Sequence, residues 1–343
     1  MIRSRYLVGL VQKAVELTAV PKSDGIVIHG VPDAAAREAS VRVRSALAAQ
    51  GLCLGAEVTI APFPTVAVPH LDLPIALAVL QAHGHDVPEV LAMGELALSG
   101  DVRPMRGLTP LLARGEFERD GGQVLVPLQN EAEAAQHGRH ARLVGSLQEL
   151  VTGLATGFDP TCLARPMKPA PSETTKGSPL GVVLVGARGS GKTLIARCLA
   201  EAVGFERDAA VDCIYSIAGL LPPGGTVSRT PFRAPHHTVS EAGLTGTSSR
   251  PGEVSLAHRG VLFLDELTEF RLGALEALFE VVRVGHNRPG GSPPGFPARP
   301  ALVIGASENT PRLSKLVDRF RLQVIPIAEH FALADAIQQA RRS

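Results

Sequence analysis

The apolar positions of this chain fall into short runs and helical stripes separated by glycine and proline. Gly25-Ile26-Val27-Ile28-His29-Gly30 reads as a strand closed by a glycine, and Val31-Pro32-Asp33 then opens a helix with Asp33 as N-cap. From Ala34 to Gln50 the residues Ala35, Ala39, Val43, Ala46 and Leu47 recur at helical spacing with Arg37, Arg42 and Arg44 between them, which predicts an amphipathic helix. Glu57 to Ala61 reads as a strand, Leu73 to His83 as a buried helix and Gly121 to Pro127 as a further strand. In the second half, the run Val182 to Val185 precedes a helical segment from Leu194 to Val203. Gly260 to Leu264 is the next strand, a helix follows from Arg271 to Val282, and Leu302 to Gly305 and Leu322 to Ile327 complete the set. Apolar strands interleaved with helices predict an α/β fold, with a parallel sheet covered on both faces in this half.

Between 158 and 180 the pattern stops. Asp159-Pro160, Pro166, Pro169, Pro171 and a polar run ending in Ser178-Pro179 have little to bury and cannot sustain a ladder of hydrogen bonds. This predicts a first domain at 1–157, a linker at 158–180 and a second domain at 181–330, followed by a short tail at 331–343. A length of 343 residues agrees with two cores rather than one. The net charge of +1 gives no global attraction to nucleic acid or to a membrane, although the part after residue 157 is mildly basic. Cys53, Cys162, Cys198 and Cys213 form no C-x-x-C pair and read as buried thiols of a reducing compartment. The first twenty residues are interrupted by Gln12, Lys13 and Glu16, and no stretch reaches the roughly 18 apolar residues of a membrane span. A soluble cytoplasmic protein with no membrane partner is expected.

The chemistry concentrates in Gly186-Ala187-Arg188-Gly189-Ser190-Gly191-Lys192-Thr193, a match to G-x-x-x-x-G-K-[ST] set between an apolar run and a helix. Glycines at 186, 189 and 191 allow backbone conformations that turn successive N–H groups toward one anion, and the following helix adds its positive end. Lys192 supplies a cation for the β and γ phosphates, and Thr193 a hydroxyl for Mg²⁺. Val261-Leu262-Phe263-Leu264 ends in Asp265 and Glu266. Asp265 is placed to hold Mg²⁺ through water beside Thr193, and Glu266 to orient and deprotonate an attacking water. ATP and Mg²⁺ are the cofactors these residues point to.

Longer stretches carry a resemblance. Ile217 to Gly225, Pro231-Phe232-Arg233-Ala234-Pro235-His236-His237-Thr238, Pro251-Gly252-Glu253 and Ser255-Leu256-Ala257-His258 resemble the magnesium-chelatase-like branch of AAA+ ATPases, and within it the bacterial YifB/ComM group. Gly30-Val31-Pro32-Asp33, Arg42 to Ala46, Leu71 to Leu77 and Gly94 to Gly100 resemble that group's amino-terminal domain, which is similar to the Lon protease domain. The resemblance implies an N-terminal Lon-protease-like α+β domain before a P-loop AAA+ core. It further implies a ring-forming homo-oligomer, a hexamer in this group, and a motor acting on single-stranded or branched DNA, with branch migration during natural transformation as its task. Arg319 falls where the family has an arginine finger for a neighbouring subunit. Either Ser307 or Asn309 falls where it has a polar sensor near the γ-phosphate. Asp72 stands where the Lon peptidase has its serine, and Leu108-Thr109-Pro110 offers no lysine, so no peptidase activity is expected. His236 and His237 are adjacent loop residues with no third ligand at suitable spacing, which argues against a metal site.

Three departures qualify these expectations. The segment before Val182 that helps hold adenine in the family is here the Pro-rich linker. Gly285 to Gly295, rich in proline and glycine, replaces a pore hairpin, which is expected to be blunted or absent. The helical lid that follows the core in the family is expected to be lacking, so nucleotide binding is expected to survive more readily than turnover. Two rival readings are a magnesium-chelatase-type motor subunit and a truncated nucleotide-binding module with little ATPase activity.

Overall fold

The computed structural model describes residues 2–64, 68–112, 123–136, 141–156, 180–205, 207–287 and 295–327. All but the last residue of the expected linker, the tail after 327 and the segment 288–294 lie outside the described residues. The chain divides into two compact units, Met1–Pro169 with Leu221–Thr226, and Ala170–Leu220 with Val227–Ser343. The short segment Leu221–Thr226, which the sequence pattern places in the second domain, thus belongs with the first unit.

The first unit begins with β1 (Ile2–Val8) and β2 (Val11–Lys22), an antiparallel hairpin in which Val8 faces Val11 and Ile2 faces Leu17. Gly9 turns the chain at φ 60°, the left-handed region that two-residue hairpin loops favour. There follow β3 (Ile26–His29), α1 (Asp33–Ala49), β4 (Gly55–Ala61), α2 (Asp72–Ala82), β5 (Val90–Ala92), β6 (Glu95–Leu96), β7 (Val102–Arg103), α3 (Leu108–Leu112), β8 (Gln123–Pro127), α4 (Glu131–Ala135), β9 (Ala141–Val144) and α5 (Leu147–Thr156). The main sheet runs β3-β4-β2-β1-β5-β8-β9. It is antiparallel around β2 and parallel toward both edges. Ile2, Leu17 and Ile60 of this sheet, with Leu47 of α1 and Leu73 and Leu77 of α2, form a continuous core. Each such side chain contributes about 1.5–3 kcal/mol by leaving water.

The second unit contains β10 (Leu180–Val185), α6 (Lys192–Val203), α7 (Ala209–Ala218), β11 (Phe232–Arg233), α8 (Glu241–Thr245), α9 (Glu253–Leu256), β12 (Val261–Leu264), α10 (Leu272–Val284), β13 (Leu302–Ser307), α11 (Pro311–Phe320) and β14 (Gln323–Pro326). Its sheet, ordered β11-β12-β13-β10-β14, is parallel throughout. Alternate residues along each strand serve opposite faces, as the pleat requires. Val182, Leu184, Val261 and Phe263 pack with Ala196, Leu199 and Val203 of α6. Val183, Leu262, Leu264 and Val303 pack with Leu275 and Leu278 of α10 and Leu313 and Leu316 of α11. Both faces are covered, as the apolar runs predict.

Some local expectations are corrected. Asp33 is not the cap of α1: the cap position is Pro32, without a side-chain hydrogen bond, and Asp33 lies in the first turn, where its charge suits the helix dipole. The hairpin β1–β2 escaped the periodicity because Lys13 shares the face of the buried Val15 and Leu17, which breaks the inward stripe, while Gln12 and Glu16 lie on the other face. Cys213 is buried, but Cys53 and Cys198 are exposed: the first lies in the loop before β4, the second on the solvent face of α6. Cys162 lies outside the described residues. Beyond the end of α10, His286 and Pro297 form one antiparallel bridge, and the N–H groups of Asn287 and Gly295 bond across it to Phe296 O and Asn287 O.

Candidate functional site

Three strands of the second unit, β10, β12 and β13, end side by side, and the residues after them enclose a cavity of about 450 Å³. The carboxyl edge of a parallel sheet is where such folds place ligands. The loop after β10 is tied to β13 by Gly186 N–H donating to Ser307 O at 3.1 Å. Gly189 and Gly191 take φ of 77° and 86°, and Gly191 is the N-cap of α6. The backbone freedom that the glycines promise is therefore used at both positions. A Cβ at Gly186 would run into Ile327, so this glycine is a matter of close approach.

Lys192 Nζ donates to Gly186 O at 2.7 Å and to Ala187 O at 2.6 Å, and Ser190 Oγ donates to Ala187 O at 2.7 Å. These bonds curl the loop around the amine at the start of α6. Thr193 Oγ1 donates to Asp265 Oδ2 at 3.5 Å, which brings a hydroxyl and a carboxylate from two elements to one place. β12 is buried along its whole length, whereas Asp265 is exposed and Glu266 half-buried, so the strand carries its two carboxylates from the core to the cavity. Glu266 sits at φ 51°, a left-handed conformation that costs a residue with a Cβ about 1–3 kcal/mol and that re-aims its side chain away from the strand's course.

The cavity is lined by Arg188 through Thr193, by Asp265 and Glu266 and by Ser307. It is also lined by residues that sequence reasoning missed: Thr268, Glu269, Glu308 and Thr310. Glu308 Oε1 accepts the backbone N–H of Arg188 at 3.3 Å. Its place directly after the candidate sensor was the available signal. Ser307 is buried and shares a hydrogen bond of 3.2 Å with Thr268. Asn309 is exposed and does not line the cavity. Arg319, on the last turn of α11, is also outside the cavity and pairs with Glu276 of α10. His237 stands beside Glu266, outside the cavity lining. Its Nδ1 lies 3.5 Å from Glu266 Oε2, its ring stands edge-on to Phe270, and the ring of His236, which bonds to Thr238, lies tilted against it.

The residues present fit a magnesium nucleotide. The volume suits a small ligand, the loop offers N–H groups and a cation for phosphate, and Thr193 with Asp265 offers the hard oxygen donors that Mg²⁺ takes. Among the described residues no group of three or more His, Cys, Asp or Glu could hold a metal ion by itself. A small protein share is the ordinary arrangement for Mg²⁺ bound with phosphate.

In the first unit, Asp72 is fully buried and takes hydrogen bonds from Arg42 Nε at 2.6 Å, Arg42 Nη2 at 3.1 Å and Leu96 N–H at 3.3 Å. Burial pushes its carboxyl up to about 6 even though Arg42 pulls it down. Thr109 gives both its N–H and its hydroxyl to Glu133 at 2.8 Å. Both side chains are committed to tying elements together.

Comparison with known proteins agrees with this geometry. The family model described as magnesium chelatase, subunit ChlI, matches residues 178–319, and a second, subunit ChlI of Mg-chelatase, matches residues 15–130. An uncharacterised protein of Mycobacterium tuberculosis is 36% identical over 87% of this chain and 67% of its own length. Uncharacterised protein YifB of Escherichia coli and competence protein ComM of Haemophilus influenzae are 29% and 30% identical, each over 76% of this chain and 58% of the relative. The chain belongs to the YifB/ComM-type magnesium-chelatase-like family. Its mixed α/β architecture and parallel second sheet fit the AAA+ fold of the ChlI type. No helix among the described residues is long and apolar enough to cross a membrane.

Proposed function

We propose that this chain binds ATP with Mg²⁺ at Gly186–Thr193 and hydrolyses it. The observation that carries the reading is the convergence of Lys192, the Thr193–Asp265 pair and Glu266 on one cavity from two separate elements, the start of α6 and the end of β12. The loop amides and Lys192 hold the β and γ phosphates, and Thr193 and Asp265 hold the ion. When bound, Mg²⁺ neutralises phosphate charge and orients the phosphates. Glu266 takes the proton of the attacking water. Ser307 is the sensor side chain that lines the cavity, with Asn309 the alternative just beyond it. Arg319 works from a neighbouring subunit, which its half-exposed position on α11 permits and which requires a homo-oligomeric ring, a hexamer in this reading. The first domain, residues 1–157, is Lon-like without peptidase chemistry, with Asp72 bound into an ion pair in place of a nucleophile. The chain acts in the cytoplasm.

Phosphate release with purified chain tests the site. Glu266→Gln is expected to retain ATP binding while turnover falls by about 10²- to 10⁴-fold. Unchanged turnover removes Glu266 as base, and no ATP binding by wild type removes the site. Single-stranded or branched DNA is the polymer proposed, in keeping with the resemblance to a group one of whose members is named a competence protein. ATPase stimulation by such DNA, declining steeply with salt, is the expected result. The family descriptions favour a second reading, a motor subunit for metal insertion. Turnover that responds to a chelatase partner and porphyrin, and not to DNA, selects it.

A further inference from the structure

Arg188 occupies a variable position of the phosphate-loop pattern, and its side chain turns to a carboxylate. Its Nη2 lies 3.1 Å from Glu266 Oε1, while its backbone N–H is held by Glu308. The other oxygen of Glu266 faces His237 Nδ1 at 3.5 Å. The two partners differ in how firmly they are seated. The Arg188 side chain is 82% exposed and is held on Glu266 by one hydrogen-bonded ion pair, whereas His237 is 27% exposed and lies against Phe270 and His236. Glu266 itself springs from a left-handed backbone and has His237 on its other oxygen.

A guanidinium binds carboxylate and phosphate oxygens with the same forked donors, and the multiply charged phosphates of a nucleotide outcompete one exposed carboxylate. We propose that Arg188 is a positioning residue that couples phosphate occupancy of the loop to release of Glu266. The guanidinium leaves Glu266 Oε1 for phosphate oxygens, and the carboxylate, still oriented by His237, becomes free to accept a proton. This rests on the ATP-site reading above. It has a thermodynamic consequence separate from catalysis: the Arg188–Glu266 pair must be given up on binding, so the carboxylate weakens nucleotide affinity through Arg188. An ion pair this exposed corresponds to about 1.5- to 5-fold in affinity.

The test is a double-mutant cycle on binding of N-methylanthraniloyl-ATP, followed by fluorescence in EDTA so that turnover does not consume the probe. Both positions reach solvent, so the variants are expected to fold. With Arg188 present, Glu266→Gln should tighten binding by about 1.5- to 5-fold. In the Arg188→Ala background the same substitution should change it little, and Arg188→Lys should restore part of the effect. Simple repulsion between Glu266 and phosphate predicts the opposite order, because removing Arg188 unscreens the carboxylate. Tightening that is equal or larger in the Arg188→Ala background overturns the coupling and leaves the ATP site standing. A wild-type chain that does not bind the probe overturns both.

Discussion

Asp72 offers a quantitative test of the first unit. Its carboxylate is fully buried beneath Arg42, at the junction of α1, α2 and β6, and burial raises it to about 6 against an ordinary 3.8. A carboxyl raised in the folded state ionises more readily in the unfolded chain, so its contribution to stability is complete below about pH 4 and is lost as pH rises through 6. The full shift amounts to about 3 kcal/mol, of which about 2 kcal/mol falls between pH 4.5 and 7.5. Asp72→Asn removes the titration while keeping the shape and an acceptor for Arg42, which also has Glu38 at 3.7 Å. Thermal unfolding of the two chains by circular dichroism from pH 4.5 to 7.5 reads the difference. For a unit of this size about 2 kcal/mol corresponds to roughly 4–8 °C. The melting temperature of wild type should fall by that amount relative to the variant as pH rises. A constant gap, or one moving the other way, refutes the argument that burial outweighs Arg42.

Lys192→Ala removes the cation held at the loop carbonyls and should weaken ATP binding about 10- to 150-fold by calorimetry; wild-type affinity refutes the site. Arg319→Ala should lower turnover by about 10³-fold or more in the assembled protein, while the melting temperature barely moves, because its exposed pair with Glu276 is worth at most about 1 kcal/mol. Asp208, held well below the usual carboxylate range by His258 at 3.6 Å and by hydrogen bonds from Arg259 and Ala210 N–H, should contribute stability above about pH 4 that is lost on acidification. Asp208→Ala should cost about 2–4 kcal/mol near neutral pH and flatten that acid limb, as followed by thermal unfolding.

The elements legible in the sequence were those whose burial imposes a period. The apolar runs at Val182, Val261 and Leu302 became the three strands that end at the cavity, and the stripe from Ala35 to Leu47 became α1. The loop Gly186–Thr193 was legible because its glycines meet backbone demands and leave a local spacing. What escaped depends on contacts between distant residues. Glu308 and Thr310 lie beyond β13 and have no pattern of their own until that strand aligns with β10. His237 was noticed, yet its partner, 29 positions later, became visible only once the loop after β11 met the end of β12. The helices α7 and α11 were also passed over. α11 has its cap, Thr310 accepting from Leu313 N–H, but few apolar residues, and only Leu313 and Leu316 are buried.

The approach of Ile327 to Gly186 has a mechanical consequence. Ile327 directly follows β14, the strand that flanks β10, and the phosphate loop has no side chain at 186 with which to hold it off. A shift of the loop backbone at 186 and a shift in the seating of Ile327 after β14 are therefore felt by one another through this close contact. The candidate loop and the end of the sheet's edge strand share one bearing surface, at Gly186.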